Sequence, residues 1–99
     1  YVGIELKQVV YGGVQGPTFE TPAEYRMYRI LGGDAVGMST VPEVIVARHC
    51  GIKVFGISII TDLGGFDVPV QVSHEEVQIA ANNAQPKMTE IMREMIRRS

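Results

Sequence analysis

The stretch Gly37-Met38-Ser39-Thr40-Val41-Pro42-Glu43 decides how the rest of this chain is interpreted. It follows a short apolar run and leads into another, which predicts a buried strand that turns directly into a helix. Thr40 and Glu43 stand at the spacing of a capping box. Pro42 suits the first helical turn, where its missing N–H needs no partner. Ser39 could replace Thr40 as the cap.

The start of this helix is suited to binding an anion. Free backbone N–H groups and a partial positive charge gather at a helix N-terminus. Ser39 would add a hydroxyl donor beside them. Ligand sites of α/β sheets lie outside the carboxyl ends of the strands, which is where this turn is expected. The alternative is an ordinary capped junction that binds nothing.

Composition limits the classes of function. With 99 residues the chain makes at most one small domain, and its net charge of −2 does not indicate nucleic acid or an anionic membrane as a partner. The single cysteine, Cys50, cannot form an internal disulfide and fits a reducing, cytoplasmic environment. No apolar run approaches the roughly 20 residues of a membrane span, and no secretory signal opens the chain. Because the chain begins at Tyr1 and not at Met, we expect it to be part of a longer protein.

The apolar pattern alternates between strands and helices. Strands are predicted over 7–15, 34–37 and 53–61, with a helix after each. The alternation predicts an α/β fold around a mixed, partly parallel sheet. Three strands make a thin sheet, so further strands or a partner are expected to cover it.

Helix boundaries are marked by caps and glycines. Thr21 and Glu24 form a second capping box with Pro22 at the first helical position, and this helix should end near Leu31 at Gly32-Gly33. Its core side is predicted to carry Ala23, Met27, Ile30 and Leu31.

The two later helices have similar signals. The helix that starts at Val41 should end at Cys50-Gly51. Ser73 and Glu76 form a third capping box before a long helix, which Pro86 should kink or restart. Apolar residues recur along this helix at helical spacing: Val77, Ala80, Ala81, Ala84, Met88, Ile91, Met92 and Met95.

Four polar residues follow predicted strands or open helices: Glu20, Ser39, Asp62 and His74. If the strands are parallel, all four gather at one edge of the sheet. Taken singly, each has a structural explanation: Glu20 as a helix-entry acid, Asp62 as a loop residue, His74 as a surface residue. No metal site is expected.

Two segments closely resemble the trimeric purine nucleoside phosphorylases. Residues 16–24, Gly-Pro-Thr-Phe-Glu-Thr-Pro-Ala-Glu, look like the Gly-Pro-Ser-Phe-Glu-Thr motif of that family, and residues 37–51 are similar to it almost residue for residue. Ser58 to Asp62 and His74 to Val77 fall where the family has its later motifs. The resemblance covers about residues 9 to 85. It implies the nucleoside phosphorylase fold, with residues 1–99 as the C-terminal portion of one α/β domain and an N-terminal portion absent.

The resemblance also implies roles for single residues. Glu20 would accept hydrogen bonds from purine N1–H and a 2-amino group, and Asp62 would face purine N7 and O6. His74 would bond the ribose 5′-hydroxyl, and Ser39 would bind phosphate. Tyr11 and Phe19 would line the nucleoside pocket, and Met38 would lie under the ribose with its backbone near the 2′-hydroxyl.

At Asp62 the sequence departs from the 6-oxopurine pattern. Family members that prefer 6-oxopurines usually have Asn there, whereas relatives that cleave 5′-methylthioadenosine have Asp. An ionised Asp only accepts hydrogen bonds, which suits a 6-amino group or a protonated N7. Glu20 and His74 favour a 6-oxopurine and a free 5′-hydroxyl. Asp62 is therefore interpreted either as a protonated acid that donates to N7 or as a residue turned away into its loop.

The implied activity is phosphorolysis of inosine and guanosine in purine salvage, a pentosyl transfer of class EC 2.4.2.1. Phosphate is a co-substrate, no cofactor is expected, and the implied assembly is a cytoplasmic homotrimer. Two alternatives stay open: a relative that acts on 5′-methylthioadenosine, and a non-catalytic α/β fragment. Since the family's other phosphate-binding loop is absent, the isolated chain is expected to be inactive.

Overall fold

The structure is a computed structural model, and it describes residues 4–64 and 74–99. Its elements alternate between strand and helix over the first half of the chain. In chain order they are β1 (Tyr11–Gly13), α1 (Pro22–Ile30), β2 (Ala35–Gly37), α2 (Val41–His49) and α3 (His74–Arg98). The described residues fall into two compact units, one of residues 9–56 and 63–64, the other of residues 4–8, 57–62 and 74–99. Each unit is described by itself.

The first unit is built on a parallel pair of strands. β1 pairs with β2 in the register Tyr11 to Ala35, Gly12 to Val36 and Gly13 to Gly37. One further bond continues the pairing, from the Val14 N–H to the Gly37 carbonyl at 2.9 Å. Because the strands run in the same direction, the chain leaves both of them at the same edge. The segment toward Glu20 and the turn at Ser39 therefore start side by side.

Asp34 fastens the other end of this sheet. Its carboxylate accepts a hydrogen bond from the Val10 N–H at 2.9 Å, and Arg29 forms an ion pair with its second oxygen. The Val10 N–H and then the Arg29 guanidinium hold the pKa of Asp34 below its ordinary value. The side chain thus joins the residue before β1, the end of α1 and the start of β2.

We expect Asp34→Ala to lower the melting temperature of the complete protein at pH 7. A carboxyl with a depressed folded pKa contributes stability above its unfolded pKa and loses it as the pH falls through the folded value. The difference in melting temperature between variant and parent should therefore narrow below about pH 4. Thermal unfolding between pH 3 and pH 7 measures this, and a pH-independent difference would contradict it.

The predicted start of α1 is confirmed in detail. Thr21 accepts a hydrogen bond from the Glu24 N–H at 3.1 Å, and Glu24 accepts one from the Thr21 N–H at 3.0 Å. Pro22 occupies the first turn, and the helix ends before Gly32, whose φ of 101° a residue with a side chain rarely adopts. The Thr21 backbone N–H and then its side chain lower the pKa of Glu24.

The predicted core side of α1 is wrong for the described structure. Met27 is 48% exposed, Ile30 76% and Leu31 78%. They line an open groove together with Ala23 and Arg26. The helical spacing was recognised correctly, but in the described structure these apolar side chains stay accessible.

The third predicted strand is also absent from the described structure, since no strand is assigned over 53–61. A run of β-forming residues becomes a strand only when a neighbour pairs with its N–H and C=O groups. The described sheet holds only β1 and β2. For the same reason β1 is shorter than the predicted 7–15: only residues opposite β2 are paired.

The second unit is dominated by α3. The helix is continuous through Pro86, so the predicted restart there is wrong. Glu94 pairs with Arg97 at 2.8 Å and with Arg98 at 2.6 Å, and these bonds lower the pKa of Glu94. Ile91 is 6% exposed and is the buried apolar residue of the described chain. Ser73, the predicted cap, lies outside the described residues. Within the described ranges no helix is long and apolar enough to span a bilayer.

Candidate functional site

The turn between β2 and α2 is tighter than the sequence indicates. Thr40 has φ 74° and ψ −52°, and the Val41 N–H donates to the Ser39 carbonyl at 2.8 Å. This is a γ-turn of positive φ centred on Thr40, a rare conformation for a β-branched residue. Such backbone strain costs about 1–3 kcal/mol and is concentrated at ligand sites.

The predicted Thr40–Glu43 capping box is therefore wrong. Thr40 makes no side-chain capping bond, because the positive φ removes it from the extended conformation that a capping residue adopts. Its hydroxyl lies instead 3.2 Å from that of Ser39. The helix begins at Val41 with Pro42 in its first turn, as predicted, and ends at His49, before Cys50-Gly51.

Tyr11 reaches from β1 to this turn. Its hydroxyl accepts a hydrogen bond from the Ser39 N–H at 3.3 Å. The ring passes over Gly37, where a Cβ atom would overlap the phenol oxygen. Burial alone would raise the pKa of Tyr11, but hydrogen bonds with Ser39 and Thr40 outweigh it and lower the pKa below its ordinary value.

This arrangement reduces the number of backbone N–H groups at the turn that are available to bind an anion. The amides of Ser39 and Val41 already donate within the chain, to the Tyr11 hydroxyl and to a carbonyl. The Ser39 side chain is exposed. Any anion that binds at this turn would therefore rely on the Ser39 hydroxyl more than on those two amides.

Met38 and the loop after β1 lie against each other. Gly16 has φ 69°, and a Cβ atom there would overlap the Met38 sulfur. The Gly16–Pro17 peptide bond is cis. Further along the same loop Phe19 is 48% exposed. The structure thus brings the motif at 16–20 next to the turn at Met38.

Glu20 immediately precedes the cap of α1. Its side chain is half-buried and its Oε2 accepts a hydrogen bond from the Tyr25 hydroxyl at 3.3 Å. Tyr25 was not predicted from the sequence, because a separation of five residues across a helix start matches no simple spacing rule. One helical turn on, Tyr28 makes the same kind of bond to Glu24, also at 3.3 Å.

The remaining candidates belong to the second unit. Asp62 is half-buried and accepts a hydrogen bond from the Thr61 hydroxyl at 3.0 Å. His74 is exposed and is the first residue of α3, the helix start that the sequence predicts. The convergence of these two with Glu20 and Ser39 stays a prediction. In the part of the chain that the structure describes, no three His, Cys, Asp or Glu side chains form a cluster able to hold a metal ion.

Comparison with known proteins decides the family. The model of the phosphorylase superfamily matches residues 2–97, nearly the whole chain. The chain belongs to the phosphorylase superfamily. The match confirms the resemblance at the level of the superfamily. The α/β fold class is confirmed by solved purine nucleoside phosphorylases that match this chain with TM-scores of 0.83 and 0.85.

The similar phosphorylases are purine nucleoside phosphorylases. The chain is 53% identical over 76 residues to purine nucleoside phosphorylase 1 of Geobacillus stearothermophilus, covering 77% of this chain and 28% of that one. It is 52% identical over 90 residues to the Bos taurus enzyme, covering 89% and 31%. The Schistosoma mansoni enzyme in complex with adenosine matches with a TM-score of 0.85 at 42% identity, over 90% and 33% of the two chains. The chain spans about a third of the length of these relatives.

Proposed function

We propose that this chain is the C-terminal portion of a purine nucleoside phosphorylase that converts inosine and guanosine, with phosphate, to free purine and ribose 1-phosphate. The observation that carries the proposal is the parallel β1–β2 pair, from whose one edge the 16–20 motif and the Met38–Ser39 turn both leave. Similar proteins bind the relevant ligands, which supports the proposal: the Schistosoma mansoni enzyme has been solved with inosine. A Schistosoma enzyme has been solved with guanosine.

The reaction requires the protein to bind three groups: the phosphate, the ribose and the leaving purine. A phosphate oxygen attacks C1′ as the bond to purine N9 breaks, and the bonding electrons leave with the purine. Ser39 would hold the phosphate, and Met38 would lie beneath the ribose. Glu20 would bind N1–H of the leaving base, His74 the 5′-hydroxyl, and a protonated Asp62 would donate to N7 as negative charge develops. Tyr11 and Phe19 would line the nucleoside pocket.

Purified complete protein, supplied with inosine and phosphate, tests this proposal directly. We expect hypoxanthine and ribose 1-phosphate in equal amounts, with no turnover when phosphate is omitted. Hydrolysis without phosphate, or no reaction at all, would contradict it. The residues implied for the reaction include no cofactor ligand, so activity should persist in the presence of a chelator.

A second candidate function is favoured by one specific observation. Asp62 suits a 6-amino group, and a relative has been solved with adenosine. The alternative is cleavage of adenosine or 5′-methylthioadenosine. Comparing kcat/KM for inosine, adenosine and 5′-methylthioadenosine separates the two, since His74 favours nucleosides that keep the 5′-hydroxyl.

The assembly and setting are carried over from the resemblance. We propose a homotrimer that acts in purine salvage in the cytoplasm, with the N-terminal portion of the chain completing the phosphate site. The extensive exposed apolar surface of the described residues supports the need for more protein around them. Cys50 is a free, exposed thiol, in keeping with a reducing compartment.

Ser39→Ala should raise the KM for phosphate while leaving the KM for inosine nearly unchanged. With two nearby amides already engaged, the hydroxyl supplies a larger share of the anion contacts. Loss of a hydrogen bond to a charged group predicts an increase of about tenfold or more. Saturation curves for each substrate measure the effect. If the variant shows parental phosphate saturation and only a lower melting temperature, Ser39 has a structural role alone.

A further inference from the structure

Tyr25 is anchored through its backbone, and its ring contacts Gly64. Its N–H donates to the Thr21 carbonyl at 3.1 Å, which anchors its backbone in the first turn of α1. Its ring lies flat against Gly64, where a Cβ atom would come within 2.6 Å of three ring atoms. A side chain at position 64 would therefore displace the ring. The backbone bond and the Gly64 contact together limit where the phenol can lie.

In this position the Tyr25 hydroxyl lies within hydrogen-bond distance of the Glu20 carboxylate. The hydroxyl donates to Oε2 at 3.3 Å, and both side chains are half-buried. A glutamate has three rotatable side-chain bonds, and fixing them costs free energy whenever a ligand requires one orientation. A donor already in place holds the carboxylate plane and reduces that cost at the moment of binding. Each carboxylate oxygen can accept two hydrogen bonds, so Oε2 keeps capacity for a ligand.

We infer that Tyr25 is a positioning residue that orients the Glu20 carboxylate and so favours guanosine over inosine. This inference rests on the proposed function. Guanosine presents two parallel donors, N1–H and the 2-amino group, and uses both carboxylate oxygens. Inosine presents N1–H alone and needs one oxygen. A two-point contact depends on the orientation of the carboxylate plane much more than a single hydrogen bond does.

Tyr25→Phe in the complete protein tests the inference. The variant keeps the ring against Gly64 and removes only the hydroxyl. We expect kcat/KM for guanosine to fall roughly three- to tenfold, the range of one net hydrogen bond, and that for inosine to fall less. The guanosine-to-inosine ratio of kcat/KM should therefore decrease.

The chain offers a matched control on the same helix. Tyr28→Phe removes an equivalent bond, from the Tyr28 hydroxyl to Glu24 at 3.3 Å, and leaves the Tyr25–Glu20 bond in place. It should leave the ratio unchanged. Gly64→Ala provides a second route, since a methyl group there must move the Tyr25 ring, and it should lower the ratio like Tyr25→Phe.

The outcomes separate this inference from the proposed function. A parent protein without phosphorolysis overturns the proposed function and this inference with it. A parent that is active on both nucleosides, with the same ratio in Tyr25→Phe, overturns the positioning role alone. Equal changes of the ratio in Tyr25→Phe and Tyr28→Phe would assign the effect to helix stability and also overturn it.

Discussion

Replacing Glu20 by alanine is expected to lower kcat/KM for inosine and guanosine by about ten- to a hundredfold. The physical reason is the loss of a charge-assisted hydrogen bond to the purine, worth roughly 1.5–3 kcal/mol. The Tyr25 hydroxyl, which bonds Glu20 in the parent, would also be left without this partner. Guanosine should lose more than inosine because it loses two contacts. Steady-state kinetics with saturating phosphate measure both changes.

Glu24→Ala is the matched control for this variant. Glu24 is the other carboxylate at the start of α1, but its bonds are to the Thr21 N–H and to Tyr28. Its loss should lower the melting temperature through the broken capping box, while the guanosine-to-inosine ratio stays at its parental value. If Glu20→Ala has parental kinetics on both nucleosides, Glu20 lies outside the site.

Asp62→Asn is expected to shift the base preference of the complete protein. In the parent, a protonated Asp62 can donate to N7 of a 6-oxopurine, and an ionised one can accept from a 6-amino group. Asn keeps the shape and in its donating orientation serves N7 and O6, but it cannot then accept from a 6-amino group. The inosine-to-adenosine ratio of kcat/KM should therefore rise by about tenfold or more, the effect of losing one such contact.

Asp34→Asn is the control for that exchange. It makes the same chemical change at a carboxylate that joins the sheet to α1. It should therefore change the melting temperature and leave the inosine-to-adenosine ratio of kcat/KM unchanged. An inosine-to-adenosine ratio that Asp62→Asn does not alter would remove Asp62 from base recognition and favour its interpretation as a loop residue bonded to Thr61.

Local signals predicted local structure well. The capping box at Thr21, the proline beside it and the glycines after Leu31 set the limits of α1 to within a residue of those observed. These features act between residues three or four apart, so the sequence contains both partners of each bond. The start of α2 at Val41 was predicted for the same reason, by Pro42 in its first turn.

The candidate site was predicted only in part. The sequence predicted that the 16–20 loop and the Met38–Ser39 turn leave the sheet at one edge, because the carboxyl ends of parallel strands lie at the same edge. The partners inside the site were not predictable. Tyr11 meets Ser39 across 28 residues of sequence, and Tyr25 meets Glu20 around a helix start. Both contacts depend on side chains crossing between elements, which no spacing rule encodes.

The sequence by itself determined the alternation of strands and helices from β1 to α2, the limits of α1 and the family. Caps and glycines act between residues close in sequence, and the motif residues are present in the sequence itself. Only the tertiary structure decided the conformation of Thr40 and the pairing of strands. With Thr40 in an extended conformation, residues 39–43 would form a standard helix cap. In the structure Thr40 instead lies at the centre of a γ-turn, next to Ser39, whose N–H donates to the Tyr11 hydroxyl. Likewise 53–61 has the composition of a strand, yet a strand needs a neighbour for its backbone hydrogen bonds, and composition does not supply one.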